Sequence, residues 1–199
     1  MTVKNIWFHF RKIQTHRKWV RHYCFALRLY KQGLFHDLSK YSPTEFFESV
    51  RYYQGTSSPI NASKEVNGYS MAWFHHRGRN PHHYEFWQDD FDHGGYSLLM
   101  PYKYFAEMVC DYLAAGRAYM DKNFTFAAEE EWWKKKDKNL LAMPQRQIDM
   151  LDFIFMTLAA TEKTLGSASA VDAWFSSGAG RRMIEATYEY YLSKYKEEL

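Results

Sequence analysis

Histidine and aspartate recur in this chain in an order that suits metal chemistry. His16 precedes the doublet His36-Asp37, which lies in the stretch Phe35-His36-Asp37-Leu38-Ser39-Lys40. Two histidine doublets follow, His75-His76 and His82-His83, and then Asp111. Neutral imidazole nitrogen and anionic carboxylate oxygen together bind first-row cations such as Mn, Fe, Co, Ni or Zn. Singly, each residue has a plainer reading. His16 could be a satisfied core histidine, Asp111 a cap or the partner of Arg117, and the doublets surface residues around a turn. Together they require several coincidences or one metal site. His36 and Asp37 can hold one metal jointly, or Asp37 can bridge two while His36 binds one. An inward His16 and an inward Asp111 would complete the first metal, and the later histidines could hold a second. His9, His22 and His93 read as surface or structural.

The elements that must position these groups read as helices. His16, Val20, Tyr23, Leu27 and Tyr30 recur at spacings of four and three, one face of a helix over about 15–32 that puts His16 on the apolar stripe. Gly33 reads as the left-handed residue that stops it. Ser42-Pro43-Thr44-Glu45 has the form of a capping box for a helix ending near Gly55. Residues 54–61 read as loop, and Ser63 as the cap of a helix running to His75-His76, weakened by Gly68. Arg77-Gly78-Arg79-Asn80-Pro81 breaks the chain, and Pro81 is expected to open a short helix holding His82, His83, Glu85 and Trp87. Gly94-Gly95 marks a further loop. A helix from near Pro101 to Met120 places Tyr104, Met108, Asp111, Tyr112 and Ala115 on one face. Residues 123–139 suit a surface helix with acid early and base late. Further helices follow Pro144 and begin near Arg182, with 166–180 loop-like between them. No stretch alternates as a strand, and the reading is all-α, one domain over 1–199 of roughly seven to nine helices.

With 46% hydrophobic residues, 199 residues suffice for one well-formed core. The 16 Tyr, 15 Phe and 7 Trp predict a core of large rings, some with polar ends needing partners. The net charge of +3 decides nothing by itself, but its distribution is uneven. The first 36 residues carry Lys4, Arg11, Lys12, Arg17, Lys18, Arg21, Arg28 and Lys31 and no acid. Such a face could attract a phosphorylated substrate or nucleic acid, although a solvated helix face is the simpler account. Cys24 and Cys110 form no spaced framework and read as buried thiols of a reducing compartment. No apolar run approaches the roughly 20 residues of a membrane span, and no secretory pattern opens the chain. The expected location is cytoplasmic, without a membrane partner.

The order His…His-Asp…His…His…Asp in an all-α chain resembles the HD-domain superfamily of metal-dependent phosphohydrolases. His16 matches that family's first histidine, His36-Asp37 its signature doublet and Asp111 its closing aspartate. Lys40 matches a lysine that many members carry three residues after the doublet. His82-His83-Tyr84-Glu85 is similar to the HHE segment of the branch that cleaves cyclic dinucleotides, but that branch's GYP motif is absent and its substrate is not carried over. The segment HHRGRNPHHYEFW resembles uncharacterised bacterial and phage proteins that share HDLSK and NPHH. The resemblance covers an HD-like core of about 14–120, and 121–199 would be a helical extension.

The resemblance implies one or two divalent first-row transition metal ions and a small phosphorylated substrate, plausibly a nucleotide, hydrolysed by metal-activated water. The two histidine doublets lie closer together than in most two-metal members. If Pro81 starts a helix, His82 and His83 diverge by about 100° and one faces the site; His76 and His82 are favoured. His75, His83 and Glu85 remain as further ligands or as groups that orient ligands. Lys40 would clamp the phosphate, one turn from Asp37 on the same helix, with Arg77 and Arg79 as further contacts. Two other functions fit the same residues. Some HD-fold proteins hold two irons and oxidise a small polyol or phosphonate, and a non-catalytic metal or nucleic-acid-binding protein would use the basic N-terminal helix.

Overall fold

The computed structural model describes residues 2–89, 92 and 95–195, so His93 and Gly94 lie outside the described residues. The first helix, α1 (Val3–Ala26), starts earlier than the periodicity suggested, because Thr2 caps it by accepting from the Asn5 amide at 3.2 Å. It also ends earlier. Arg28 takes a left-handed φ of 62°, and a short α2 (Tyr30–Phe35) turns back along α1. Gly33 is therefore not the stop residue. It is buried within α2, where a Cβ would stand 3.0 Å from Cys24 Cβ, so its role is close approach of the two helices.

His36-Asp37 then leaves the helix altogether. Asp37 has φ 55° and ψ 28°, a left-handed conformation that Asp tolerates better than most residues. A 3₁₀ turn, Leu38–Tyr41, leads into α3 (Pro43–Arg51). Ser42 caps α3, with its hydroxyl accepting from the Glu45 amide at 3.4 Å. The Ser42 amide donates to Ser39 O at 2.8 Å and the Glu45 carboxylate is engaged elsewhere, so the reciprocal half of the expected capping box is missing. α4 (Pro59–Asn67) begins inside the expected loop and ends at Gly68, which has φ 78°. Ser63 is not a cap; it is buried within α4 and donates to Glu48. A separate α5 (Met71–Arg77), capped by Ser70, carries His75-His76. Pro81 opens no helix, only turns and a 3₁₀ turn at Tyr84–Phe86, followed by the two-residue antiparallel strands β1 (Gln88–Asp89) and β2 (Tyr96–Ser97).

α6 (Tyr102–Met120) runs lengthwise against α1 and is the most buried helix, with Phe105, Met108, Val109, Cys110 and Leu113 all in the core. α7 (Phe126–Lys134) and α8 (Gln145–Leu165) pack together. α7 is less of a surface helix than its charges suggest, since Phe126, Glu129 and Trp133 are buried. The stretch 166–180 is helical rather than loop: α9 (Ala168–Trp174) passes through a π-type turn into α10 (Gly180–Lys194). These C-terminal helices are tied back to α1 and α6 by Arg117, which donates to Asp172 at 2.5 Å and to the Tyr23 hydroxyl at 3.1 Å. Its guanidinium lies over the Trp19 and Phe124 rings, 4.7 and 4.2 Å from their centroids. Cys24 and Cys110 are free and buried. Among the described residues no helix is long and apolar enough to cross a membrane.

Candidate metal centre

α1 and α6 lie side by side with His16 and Asp111 facing each other, His16 Nε2 being 3.0 Å from Asp111 Oδ1. The turn after α2 inserts His36-Asp37 between them. His36 Nε2 is 3.3 Å from Asp111 Oδ1, 3.2 Å from Asp37 Oδ2 and 3.3 Å from His16 Nε2. His16 Nε2 is 3.4 Å from the same Asp37 oxygen. Donors held roughly 2.0–2.2 Å from one cation stand roughly 3.0–3.6 Å from each other. This buried quartet of two nitrogens and two oxygens has that spacing.

The other oxygen of Asp37 faces a second set. His76 Nε2 from α5 lies 3.2 Å from Asp37 Oδ1, and His82 Nε2 from the loop lies 3.4 Å from it. His83 joins the same group. Asp37 Oδ1, His82 Nε2 and His83 Nε2 are all buried without a hydrogen-bond partner. Three unpaired polar atoms in one place are costly unless a cation or other polar group completes them. The buried His/Asp groups could hold a metal ion. Because residues 81–83 are not helical, His82 and His83 do not diverge, and both belong to the group; the expectation that only one faces the site is corrected.

Two carboxylates not anticipated from the sequence orient these rings. Glu107, one turn before Asp111 on α6, accepts from His36 Nδ1 at 2.9 Å and lies 3.3 Å from His82 Nδ1. Glu45 accepts from His76 Nδ1 at 2.7 Å and from His75 Nδ1 at 2.6 Å. An ionised carboxylate only accepts, so Nδ1 carries the proton and the Nε2 lone pair is left for the centre. The four-residue spacing of Glu107 and Asp111 was legible as a shared face. For Glu45 the capping pattern pointed elsewhere.

Burial alone disfavours charge on every group here. For Asp37 the charges of His36, Lys40 and His76 outweigh it and hold the carboxyl well below its ordinary pKa; His16 and His36 do the same for Asp111. Against burial, Asp37 holds His36 and His76 above theirs. For His83, burial and then repulsion from His82 and His76 act together and keep the ring neutral. Lys40 sits on the 3₁₀ turn, not on a helix, and its ammonium pairs with Asp37 Oδ2. Asp37 and Asp111 overcome burial to push its pKa up to about 12.

The remaining sequence candidates lie apart from these groups. His75 is held by Glu45 and belongs to no ligand group. Glu85 is half-buried, with Oε2 buried and without a hydrogen-bond partner, but is in none of the groups. Arg77 stacks on Phe74, 5.5 Å from its ring centroid, and exposed Arg79 reaches only His75 O at 3.4 Å. A cavity of about 200 Å³ opens beside the centre, lined by His16, Lys40, His76, His83 and Asp111 but by neither arginine. His9, read as surface or structural, is buried and lines this cavity.

The model of one protein family, described as "Family of unknown function (DUF5662)", matches residues 5–157, and the chain belongs to that family. The matched segment contains both ligand groups with Glu45 and Glu107. No curated protein and no solved structure matches the chain.

Proposed function

We propose that this chain is a metal-dependent phosphohydrolase of HD-domain type, acting on a small phosphorylated molecule at a centre for two first-row divalent ions. The observation that carries this reading is the position of Asp37. Its two carboxylate oxygens face two different ligand groups, His16, His36 and Asp111 on one side and His76 and His82 on the other. A carboxylate so placed is suited to bridging, and His83 adds a further neutral nitrogen to the second group.

When bound, divalent ions at such a centre lower the pKa of water and neutralise charge on phosphoryl oxygens. The chain's own residues prepare for that chemistry. Glu45 and Glu107 engage Nδ1 of His76 and His36, so Nε2 is the nitrogen that each ring turns to the centre. Glu107 reaches His82 as well, linking the two groups through one carboxylate. Lys40 keeps its charge beside Asp37 at the cavity wall and is the cation nearest a phosphoryl group seated there. Burial of Asp37 and His36 keeps solvent from competing for the centre.

Elemental analysis of reconstituted protein, joined to a screen of phosphorylated metabolites, tests the reading. The expected result is two equivalents of metal in the parent chain. Asp37→Ala should lose both, together with phosphatase activity, while keeping a helical circular dichroism spectrum. Asp37→Asn, which preserves the left-handed backbone preference, separates the lost oxygen from any backbone effect. Full metal content in Asp37→Ala would refute the centre. Iron in anaerobically purified protein, a mixed-valent signal after oxygen and no phosphatase activity would replace the hydrolase with a di-iron oxygenase.

A further inference from the structure

The cavity beside the centre is about 200 Å³, below the roughly 300–1,000 Å³ of sites for drug-sized ligands. Away from the histidines much of its wall is apolar, built from Ile13 of α1, Ile60 of α4, Ala72 and Trp73 of α5, and Ala115 and Ala118 of α6, with Ser49, Ser58 and Tyr119 adding hydroxyls. Cations are few. Lys40 pairs with Asp37, and Lys12 donates to Ala118 O at 2.7 Å with its ammonium 4.9 Å from the Tyr119 centroid. Among the described residues the lining therefore lacks the cluster of free cations that a polyphosphate needs.

Outside the ligand groups, one polar side chain of the described lining carries a buried atom without a partner. His9, on α1, is 6% exposed and lines the cavity, with its ring packed 5.3 Å from that of Phe46 and 5.8 Å from that of Tyr53. Its Nδ1 is buried without a hydrogen-bond partner. Burial, with a smaller contribution from Lys40, lowers the imidazole pKa to about 4, so the ring is neutral and can donate from one nitrogen and accept at the other. A buried ring nitrogen without a partner calls for one, and the cavity that this ring lines is where a ligand could supply it.

We propose that the cavity takes a compact phosphomonoester whose organic body is largely apolar and carries one hydrogen-bonding atom, met by His9. The proposal rests on the preceding reading that a phosphoryl group sits at the His/Asp centre. The cavity selects against nucleotides by size, and a site built to pair a polar atom discriminates against bodies that lack it.

The test is calorimetric titration of Mn2+-loaded protein with non-hydrolysable probes: methylphosphonate, phenylphosphonate, the three hydroxyphenylphosphonates and adenosine 5′-monophosphate. Phenylphosphonate should bind at least about tenfold more tightly than methylphosphonate, from the apolar area it buries, and more tightly than the nucleotide. One hydroxyphenyl isomer should gain roughly a further fivefold. His9→Phe should abolish that gain while metal content stays unchanged. Ala115→Phe should erase the phenyl advantage, and Ile60→Trp narrows the same cavity from α4 should Ala115→Phe fail to fold. Equal affinity for methyl and phenyl probes, tighter binding of the nucleotide, no binding of any phosphonate, or a hydroxyl gain that survives His9→Phe would overturn the proposal. Hydrolysis of phenyl phosphate is scored separately. The expected binding order without turnover supports this proposal and removes the hydrolase reading; nucleotide turnover with a flat binding order does the reverse.

Discussion

Replacing Glu129 by Gln should make the protein more stable at neutral and alkaline pH, and by a growing margin as pH rises. Glu129 projects from α7 toward Gly116 of α6 and is 4% exposed. Burial is the main cause that raises its carboxyl from an ordinary 4.5 to about 8; Lys136 opposes the rise and Asp111 adds to it. A carboxyl with a raised folded-state pKa binds its proton more tightly when folded. Its cost to stability is absent below pH 4.5, grows between 4.5 and about 8, and is complete above that. At about 1.36 kcal/mol per pH unit, the full cost is about 5 kcal/mol, of which about 4 kcal/mol develops between pH 4.5 and pH 8. Gln mimics the protonated carboxyl and does not titrate. Thermal melts of both proteins at equal metal loading should give similar Tm values near pH 4.5. The Gln variant should then gain roughly 8–16 °C over the parent by pH 8, at roughly 2–4 °C per kcal/mol for a chain of this size. Comparing the two proteins cancels the titrating histidines. Parallel curves from pH 5 to 8 would refute the burial argument, and a variant less stable at every pH would show that the carboxylate is paired.

Glu107→Gln should weaken metal binding by about 10–100-fold, and it should affect both equivalents because Glu107 serves His36 and His82; chelator competition would show this, and loss of one equivalent alone would separate the two groups. Gly116→Ala should cost about 1–3 kcal/mol of overpacking, since a Cβ there would collide with the Glu129 carboxylate and stand 2.7 Å from the Phe124 ring; denaturant unfolding measures it. Arg117→Ala should cost about 3 kcal/mol by leaving the Asp172 charge without its cation in a largely buried site, with the Tyr23 hydroxyl still donating to that carboxylate at 2.9 Å, and protease cutting should concentrate in α9 and α10 if the Arg117 contact is what ties them to α1 and α6.

Helical periodicity by itself determined that His16 and Asp111 face inward on separate helices, because apolar neighbours at spacings of three and four leave those two positions on the buried stripe. It also determined the span of α6 almost to the residue, from a proline before its first turn to the end of the apolar face. Residue chemistry marked His36-Asp37 as the doublet around which ligands could gather. Other features were set only by how the elements pack. Asp37 lies in a left-handed turn rather than on a helix, which is what allows adjacent residues to face one centre and each Asp37 oxygen to face a different group. Residues 81–83 do not form a helix, so His82 and His83 converge where a helical rule separates them. Glu45 carries the pattern of a local cap, yet α5 brings two imidazoles within 2.6 and 2.7 Å of its carboxylate. His9, an ordinary histidine by sequence, becomes a buried cavity wall because Phe46 of α3 and Tyr53, just beyond that helix, pack against it. A local pattern specifies the face a side chain occupies along its own helix. Its partner depends on another segment tens of residues away, and only the packing of those segments brings the two together.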